Sequence, residues 1–369
     1  MRIILTGGGT GGHLFPLIAV ARKIKEKLGP DCEFLYVGSG APLERAVMQE
    51  ENIPAKFVMS GKMRRYASPL NIIDFFKLPI GFLQSLWLLL RYMPNVIFSK
   101  GGYVAVPVVL AAWIYRIPVL IHESDAIPGT SNRFLAKFVS RVVIAYPSAE
   151  EYFPAGKTAL FGNPVREGIL GGNPGMLRKQ LGFTESKKTV LVLGGSQGSM
   201  TINKAIVEIL PKLLYEVQVI HQTGEQNYES VVRGAAEQGI KSGHEGYAPV
   251  KFLNQQNMQD ALELADLVIS RAGANSIAEI AAHGKPSILV PLANSANDHQ
   301  RMNAYSLAKI GGTLVLEESN LGEVMLLQKI EQILNDGDVS STMSKQIVTF
   351  FHPHAAEAIA NGVIELGAL

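Results

Sequence analysis

Short apolar runs rich in β-branched residues alternate with helix-period segments along almost the whole chain. In the first half, the apolar runs predict strands at residues 3–6, 33–37, 96–99, 119–122 and 142–145. After residue 160 the rhythm restarts, and strands are predicted at 190–193, 217–222, 267–270 and 287–290. Amphipathic spacing predicts helices between the strands, for example at 14–27 and 200–214. This alternation is typical of α/β proteins with parallel sheets and right-handed crossovers.

The chain divides into two predicted domains, since 369 residues exceed what one hydrophobic core usually organises. The turn-rich segments FGNP (161–164) and GGNPG (171–175) lie at the joint. Each half opens with a strand that runs into a glycine cluster, at 7–12 and at 194–198. We therefore predict two Rossmann-like domains, residues 1–163 and 164–353, with a last helix (354–369) that returns to the first domain. Ligands are expected in a cleft, at the carboxyl ends of the strands.

Composition and charge narrow the class of protein. Hydrophobic residues make up 47% of the chain and charged residues 18%, which is typical of a well-packed globular protein. A formal net charge of +2 argues against nucleic acid as a partner. Cys32 is the one cysteine, so an intramolecular disulfide is excluded and a reducing cytoplasm fits. The most apolar stretch, 79–90, is shorter than the roughly 20 residues of a membrane span, and the N-terminus resembles a strand more than a signal peptide. A soluble or peripheral protein is expected.

The first glycine cluster joins a strand to a helix and favours a ligand-binding loop. Gly7, Gly9 and Gly12 satisfy the G-x-G-x-x-G spacing of dinucleotide-binding enzymes, a weak signal by itself. Those enzymes need an acid at the end of the second strand, and here that strand ends YVGSG (36–40). A nicotinamide cofactor is therefore disfavoured, and no Gly-Lys-Ser/Thr phosphate loop follows a glycine run. His13 lies beside the loop, where it is either a polar cap or a proton-transfer group.

Six ordered segments carry a family resemblance. They are GGGTGGHLFP (7–16), HESDAIPGTSN (122–132), GNPVR (162–166), GGSQG (194–198), SRAGANSIAE (270–279) and DHQRMNA (298–304). Together they resemble the MurG family of bacterial cell-wall glycosyltransferases over nearly the whole chain. The resemblance implies the GT-B architecture of two Rossmann-like domains. It also implies inverting transfer of N-acetylglucosamine (GlcNAc) from UDP-GlcNAc to the muramoyl C4 hydroxyl of lipid I, which gives lipid II for peptidoglycan synthesis.

The resemblance also implies a set of binding residues. For UDP-GlcNAc they are Thr10, Gly11, Gly12, Asp125, Arg166, Ser196, Leu253, Ala274, Asn275, Ser276, Ile277, Ala278, Glu279 and Gln300. Ser196 and Arg166 would contact the diphosphate, the Leu253 backbone the uracil, Glu279 the ribose and Gln300 the transferred sugar. On the acceptor side the implied residues are Tyr103, His122 and Asn132.

Catalysis by inversion needs a base that takes the proton of the attacking hydroxyl. His13 is the first choice for this base, and Glu123 and Asp125 are competitors. Asp125 departs from the family, which usually has asparagine there; an ionised carboxylate accepts hydrogen bonds but cannot donate one. Loop amides, a helix dipole and Arg166 can stabilise the departing diphosphate. With no Asp-x-Asp pair near the predicted cleft, we expect no metal and no other cofactor.

A mixed apolar and basic segment predicts a membrane-facing patch in the first domain. Basic residues at 62–66 precede the patch, whose members are Phe75, Phe76, Lys77, Phe82, Trp87 and Arg91. Such a mixture suits the surface of an anionic bilayer, and the alternative is an ordinary buried helix. A lipid-linked acceptor favours the cytoplasmic face of the bacterial inner membrane. The resemblance implies further partners in the cell-wall and division machinery.

Three other functions are compatible with these patterns. A diacylglycerol glucosyltransferase would use the same architecture with UDP-glucose, and a UDP-GlcNAc 2-epimerase shares the fold but needs no lipid. A non-catalytic subunit that binds nucleotide sugars is the third. Assays of donor and acceptor use separate all three from the transferase.

Overall fold

The computed structural model describes residues 1–61, 69–166, 168–195, 197–241 and 246–368, and gives only the backbone at 69–76 and 296. The predicted basic residues 62–66 and Ser196 lie outside these ranges, as do the side chains of Phe75 and Phe76. The described chain forms two compact units. The first comprises Met1–Arg166 and His352–Leu369, and the second Glu167–Phe351. The sequence-based boundaries were set after residue 163 and before residue 354.

The first unit is built on a seven-stranded sheet. Its strands are β1 Arg2–Thr6, β2 Glu33–Gly38, β3 Ala55–Phe57, β4 Val96–Ser99, β5 Val119–Glu123, β6 Arg141–Ile144 and β7 Thr158–Leu160. Its helices up to this point are α1 Gly11–Leu28, α2 Pro42–Glu50, α3 Pro69–Tyr92, α4 Ala105–Ile114 and α5 Thr130–Leu135. The strands lie in the order β3-β2-β1-β4-β5-β6-β7, and neighbouring strands are parallel.

The second unit repeats this arrangement with six strands. They are β8 Lys188–Leu193, β9 Val217–Gln222, β10 Tyr247–Val250, β11 Leu267–Ser270, β12 Ser287–Leu289 and β13 Leu314–Val315. The helices are α6 Pro174–Gln180, α7 Met200–Glu216, α8 Tyr228–Glu237, α9 Gln255–Leu264, α10 Ala274–Ala282, α11 His299–Lys309, α12 Glu323–Asn335 and α13 Gly337–Val348. The order is β10-β9-β8-β11-β12-β13, again with parallel pairs. Both units therefore have the strand order of a Rossmann fold, which confirms the predicted α/β class.

The last helix, α14 (Ala355–Gly367), belongs to the first unit. Ile359 and Val363 are fully buried in the core that also contains Ile3 and Leu5 of β1. Ile4 lies between those two residues and belongs to the core on the other face of the sheet. Because successive strand residues point to opposite faces, a strand covered on both faces is apolar throughout. This explains why the central strands were recognisable as uninterrupted apolar runs.

Within the described ranges, none of the helices has the length and hydropathy that a bilayer span requires.

Candidate active site

The predicted acceptor-side residues of the first unit gather where three adjacent strands end. The segments after β1, β4 and β5 contain His13, Tyr103 and Asp125 respectively, and β1, β4 and β5 are neighbours in the sheet. The loops approach each other closely, since a methyl group on Gly102 would lie 3.7 Å from Cε1 of His13. One on Gly9 would lie 4.0 Å from Cε1 of Tyr103. The topology thus places these predicted side chains on one edge of the sheet.

His13 is held in one tautomer by the glycine loop. Its Nδ1 lies 2.8 Å from the carbonyl oxygen of Gly8. Because a carbonyl can only accept, Nδ1 carries the hydrogen and Nε2 carries the lone pair of the neutral ring. Burial, together with the charge of Lys100, lowers the pKa of His13 below its usual 6.5, although Gly8, Asp125 and Glu44 act in the opposite direction. The ring is therefore mainly neutral at pH 7 and able to take a proton through Nε2.

Glu44 is a buried carboxylate under the glycine loop, and sequence reasoning missed it. It lies in the first turn of α2 and is 0% exposed. Its Oε1 accepts hydrogen bonds from the N–H of Gly9 (3.0 Å) and from Oγ of Ser39 (2.9 Å), and its Oε2 accepts one from the N–H of Gly40 (2.7 Å). The N–H of Gly9 is thus already hydrogen-bonded within the protein and is not available to a ligand of this loop. A carboxylate here is also unfavourable for a phosphate group in the same loop.

Lys100 is a second buried group that the sequence did not single out as functional. It is 2% exposed, and its Nζ lies 2.7 Å from Nδ1 of His122, whose Nε2 lies 3.0 Å from the carbonyl oxygen of Gly162. The carbonyl contact leaves the lone pair of His122 on Nδ1, where it accepts from the lysine. Burial lowers the pKa of Lys100 to about 8, and the charges of Glu123 and Asp125 moderate the shift. Burial likewise lowers the pKa of His122 well below its usual value.

Glu123, one of the candidate bases, has both carboxylate oxygens engaged. Oε1 accepts from the N–H of Asp125 (3.0 Å), and Oε2 accepts from the N–H of Gly129 (3.0 Å) and from Nδ2 of Asn132 (2.9 Å). Burial and the charge of Asp125 raise the pKa of Glu123, and these hydrogen bonds oppose the rise. The carboxylate therefore fixes the loop that carries Asp125 and the start of α5. This arrangement favours a structural role for Glu123 over proton transfer.

Asp125, the residue predicted to depart from the family, lies close to two titratable groups of the first unit. Its charge raises the pKa of His13 and of Lys100, so its carboxylate lies within electrostatic reach of both. The Lys100 ammonium, which follows directly after β4, is therefore attracted to the Asp125 carboxylate.

The predicted nucleotide contacts of the second unit also lie at strand ends. The glycine loop 194–198 follows β8, and the side chain of Gln222, the last residue of β9, spans from that loop to Leu253. Its Nε2 donates to the carbonyl of Gly195 (3.3 Å), and its Oε1 accepts from the N–H of Leu253 (2.9 Å). Because the N–H of Leu253 is already bonded to Gln222, the predicted backbone contact with uracil would have to use the carbonyl of Leu253. Gln222 is 2% exposed, and sequence reasoning missed it.

An ion pair whose side chains are only 11% and 17% exposed anchors the start of α7, directly after this loop. Oγ of Ser199 accepts from the N–H of Ile202 (3.3 Å) and from Nη2 of Arg271 (2.7 Å). The same Nη2 lies 2.5 Å from Oε1 of Glu318, and Nη1 donates to the carbonyl of Val290 (3.2 Å). Arg271, which is 9% exposed as a whole residue, thus joins the segments that contain Ser199, Val290 and Glu318. These contacts give it a structural role.

Helix α10 presents part of its first turn at the same edge. Ala274, Asn275, Ser276 and Glu279 are partly exposed, whereas the side chains of Ile277 and Ala278 are buried, 1% and 4% exposed. Any ligand contact by those two residues must therefore come from the backbone.

Gln300 is the second residue of α11, and its Oε1 accepts from the N–H of Leu292 (3.1 Å). Asn297 and Asp298 just before it both have positive φ, 55° and 57°. Two consecutive non-glycine residues in this region are uncommon, and such conformations cluster at functional sites.

Arg166, a predicted diphosphate contact, belongs to the first unit. Its guanidinium carbon lies 5.6 Å from the ring centroid of Phe15, in the first turns of α1. A cation over an aromatic face is stabilised at this distance. The contact holds Arg166 beside the helix that begins with Gly11, Gly12 and His13.

Helices α3, α4 and α5 carry several large exposed apolar side chains. Leu83, Trp87 and Leu90 share one face of α3 and are 64%, 64% and 61% exposed. Phe82, a predicted member of the membrane patch, instead packs against the core. Arg91 lies over the Trp87 ring at 5.6 Å.

On the neighbouring helices, Trp113 and Phe134 are 55% and 46% exposed. Both rings lie 5.3 Å from that of Phe138, so they form one aromatic cluster. Exposed cations accompany the cluster at Arg116, Arg133 and Lys137. The sequence pattern missed Trp113 and Phe134 because each stands in a short helix far along the chain from α3.

Comparison with known proteins identifies the family. Residues 3–144 match the glycosyltransferase family 28 N-terminal domain, and residues 189–359 match the glycosyltransferase family 28 C-terminal domain. The chain is 36% identical over 367 residues to the UDP-N-acetylglucosamine–N-acetylmuramyl-(pentapeptide) pyrophosphoryl-undecaprenol N-acetylglucosamine transferase of Bacillus pumilus, covering 99% of both chains. The enzyme of the same name from Clostridium perfringens strain SM101 is 40% identical over 333 residues, 90% of both.

Solved structures agree with this assignment. The crystal structure of Acinetobacter baumannii MurG superposes with a TM-score of 0.78 at 26% identity, over 99% of both chains. A UDP-GlcNAc 2-epimerase from Neisseria meningitidis, bound to UDP-GlcNAc, gives a TM-score of 0.68 at 12% identity over 99% and 100% of the chains, and shows the common fold alone. The GT-B fold is thereby confirmed. The chain belongs to glycosyltransferase family 28 and, within it, to the MurG family.

Proposed function

We propose that this chain transfers GlcNAc from UDP-GlcNAc to the C4 hydroxyl of the muramoyl sugar of lipid I and so forms lipid II. The observation that carries the proposal is the identity of 36% over 99% of both chains with a transferase of that name. The relationship extends through both units, so it includes the acceptor-side and the nucleotide-side segments. The alternatives of the same fold rest on likeness of fold alone.

His13 supplies the base in this proposal. Its Nε2 takes the proton of the C4 hydroxyl as the oxygen attacks the anomeric carbon of the donor. The bond from that carbon to the diphosphate breaks, and UDP leaves with the electron pair, which inverts the anomeric configuration. The Nδ1 contact to Gly8 supports this role because it leaves the lone pair on Nε2. Asp125 stabilises the imidazolium that forms, since its charge raises the pKa of His13.

The second unit binds the donor. Ser196 and the amides at the start of α7 contact the diphosphate, where a helix N-terminus favours negative charge. Arg166 adds a cation for the departing UDP. The Leu253 carbonyl meets the uracil, Glu279 the ribose and Gln300 the transferred sugar. The buried Arg271–Glu318 pair supports this site by anchoring Ser199.

The first unit binds the cytoplasmic face of the inner membrane through the exposed apolar groups of α3, α4 and α5. Leu83, Trp87, Leu90, Trp113 and Phe134, which we call the apolar patch, offer large side chains to the interface. Neither α4 nor α5 contains an acidic residue, and exposed cations flank both. A surface of this kind suits anionic lipid, and it brings the enzyme to a lipid-linked acceptor. The proposal extends to partners in the cell-wall and division machinery, which the family resemblance implies.

The transfer is tested with radiolabelled UDP-GlcNAc and a short-chain lipid I analogue. Formation of the lipid-linked disaccharide and release of one UDP per transfer support the proposal. UDP-glucose should compete poorly as a donor. Conversion of UDP-GlcNAc to its 2-epimer without acceptor, or transfer to diacylglycerol, would instead identify one of the alternative enzymes. Donor binding without turnover in the presence of acceptor would identify a non-catalytic subunit.

A further inference from the structure

Glu44 is connected to His13 through the glycine loop. Its carboxylate accepts hydrogen bonds from the amides of Gly9 and Gly40 and from the hydroxyl of Ser39. The carbonyl of Gly8, the residue before Gly9, accepts the hydrogen bond from Nδ1 of His13. The carbonyl of Gly8 and the N–H of Gly9 belong to one planar peptide group, so Glu44 and His13 hold opposite sides of the same unit.

The loop is fitted tightly around this carboxylate. A methyl group on Gly8 would lie 2.2 Å from Oε1 of Glu44, and one on Gly38 would lie 2.6 Å from Oε2. Tyr36, which is fully buried, donates from its hydroxyl to the carbonyl of Gly7 and fixes the other side of the loop. A carboxylate that satisfies three donors in a buried position specifies one arrangement of the backbone around it.

A buried carboxylate is an unusual choice if its only task is to shape a turn. Its desolvation is costly, and the amide of glutamine would have the same size. A negative charge, however, also acts on His13, because Glu44 is among the groups that raise its pKa. The other charged groups that act on this ring are Lys100, from the end of β4, and Asp125, from the segment after β5.

We propose that Glu44 is a positioning residue of the transfer reaction: it holds the glycine loop so that Gly8 fixes the tautomer of His13. The inference rests on the proposed function, in which His13 is the base. Glu44 does not touch the substrate in this scheme. It acts through Gly9 and Gly8, and its charge stabilises the imidazolium that forms when His13 takes the proton.

Two substitutions separate geometry from charge. Glu44→Gln keeps the reach of the side chain, but its NH₂ group replaces one acceptor and in either orientation meets a backbone N–H, that of Gly9 or that of Gly40. Glu44→Asp keeps the charge but is one methylene shorter, so it withdraws from the loop. Ser39→Ala is the matched control, because it removes one of the three hydrogen bonds and leaves the charge and both amide bonds in place.

The decisive measurement is NMR of the His13 imidazole in the full chain, with its signal assigned by its loss in His13→Ala. Nitrogen shifts report which ring nitrogen carries the hydrogen, and titration reports the midpoint. In wild type and Ser39→Ala we expect the Nδ1–H form. In Glu44→Gln we expect a mixture of tautomers and a midpoint at lower pH. In Glu44→Asp we expect the mixture of tautomers with a smaller change of midpoint.

Turnover provides the second measurement. Glu44→Gln should lower kcat roughly ten- to a hundred-fold, as small misplacements of catalytic groups do, with little change in the KM for UDP-GlcNAc. An unaltered His13 tautomer and midpoint in Glu44→Gln would overturn the inference, whatever the activity. If wild type fails to transfer GlcNAc, the proposed function fails, and the NMR comparison still decides whether Glu44 orients His13.

Discussion

Lys100 and His122 lie side by side in the interior of the first unit, with Nζ 2.7 Å from Nδ1. The histidine is neutral because burial and the lysine both lower its pKa, so the cation faces a neutral acceptor. The positive charge of Lys100 is stabilised instead by the carboxylates of Glu123 and Asp125. The stability of the first unit therefore depends on whether Lys100 is protonated.

Removing the charge with Lys100→Met should alter the pH dependence of folding. The pKa of Lys100 is about 8 in the folded chain against 10.5 in the unfolded chain. Below pH 8 both states carry the proton, and the folded state bears the full cost of the buried charge. Between pH 8 and 10.5 only the unfolded state keeps the proton on Lys100. The free energy of unfolding therefore increases over this interval, by about 3 kcal/mol at most.

Urea unfolding of both proteins between pH 7 and 10 checks this prediction. The free energy of unfolding of wild type relative to Lys100→Met should rise with pH in that interval. Parallel curves for the two proteins would show that Lys100 has an ordinary pKa in the folded chain.

Replacing the proposed base with His13→Ala should lower turnover by roughly 10²–10⁴-fold, the usual contribution of a general base. Donor affinity should change little, because the proposed nucleotide contacts belong to other residues. Steady-state kinetics and calorimetry with UDP-GlcNAc measure the two quantities. The control is His354→Ala, since the side chain of His354 is 84% exposed and stands in the cap of α14. Near-normal turnover in His13→Ala would assign the base elsewhere, with Asp125 the next candidate.

Adding one methyl group with Gly8→Ala should destabilise the glycine loop. The new carbon would lie 2.2 Å from Oε1 of Glu44, and both the loop and α2 would have to move apart. Overpacking of this kind costs about 1–3 kcal/mol. Gly337→Ala is the matched control, because a methyl group there meets no atom within 4 Å. Equal unfolding free energies for the two variants would show that the residues around Glu44 rearrange to accept the methyl group at no cost in stability.

Removing the charge of Glu318 should destabilise the second unit in a pH-dependent way. Burial acts to raise the pKa of Glu318, but hydrogen bonds from Arg271 and the N–H of Ala293 outweigh it and lower the pKa. The pair thus contributes stability above the unfolded pKa near 4.5, and that stability is lost as pH falls through the lower folded value. Glu318→Gln should cost about 1.5–3 kcal/mol at pH 7 and progressively less below pH 4.5.

The exposed pair Lys212–Glu323 provides the comparison for this variant. Its Nζ–Oε1 distance is 2.7 Å, and its side chains are 69% and 42% exposed. Solvent-exposed pairs contribute little, so Glu323→Gln should leave the unfolding free energy almost unchanged. A similar loss in both variants would mean that burial does not distinguish the two pairs.

The fold was predictable at its centre and not at its edges. All nine predicted strands are present within two residues of the expected bounds. The four that the sequence did not reveal, β3, β7, β10 and β13, are the outermost strands of the two sheets. They are two to four residues long and have a neighbouring strand on one side only, so they lack the long apolar run of a central parallel strand. Pro249 lies in β10, and proline is tolerated in a strand at such an edge.

The site shows a similar division between what was predictable and what was not. Residues directly after buried strands, such as Tyr103 and Asp125, were predictable because strand ends can be recognised in the sequence. From the sequence alone, Glu44 resembles an ordinary charged residue on a surface helix. It is buried because β2, which precedes its helix, lies beside β1. The signal that can find it is the pair of glycines at 38 and 40, followed by an acid. Lys100 escaped notice because nothing local shows that the loop after β4 is buried.

The apolar patch should contribute directly to membrane binding. Replacing Trp87, Trp113 and Phe134 with serine should weaken binding to vesicles of phosphatidylglycerol, because each side chain would otherwise bury apolar area at the interface. Tyr215, 85% exposed in the second unit, is the control, and Tyr215→Ser should bind as wild type does. Sedimentation with vesicles measures binding, and circular dichroism checks folding. Neutral phosphatidylcholine vesicles should bind wild type less well, because Arg133 of α5 and Lys137 just after it then have no anionic lipid to attract them. Unchanged binding of the triple variant to the anionic vesicles would reject the patch as the membrane contact, while transfer to a soluble lipid I analogue would continue normally in either case.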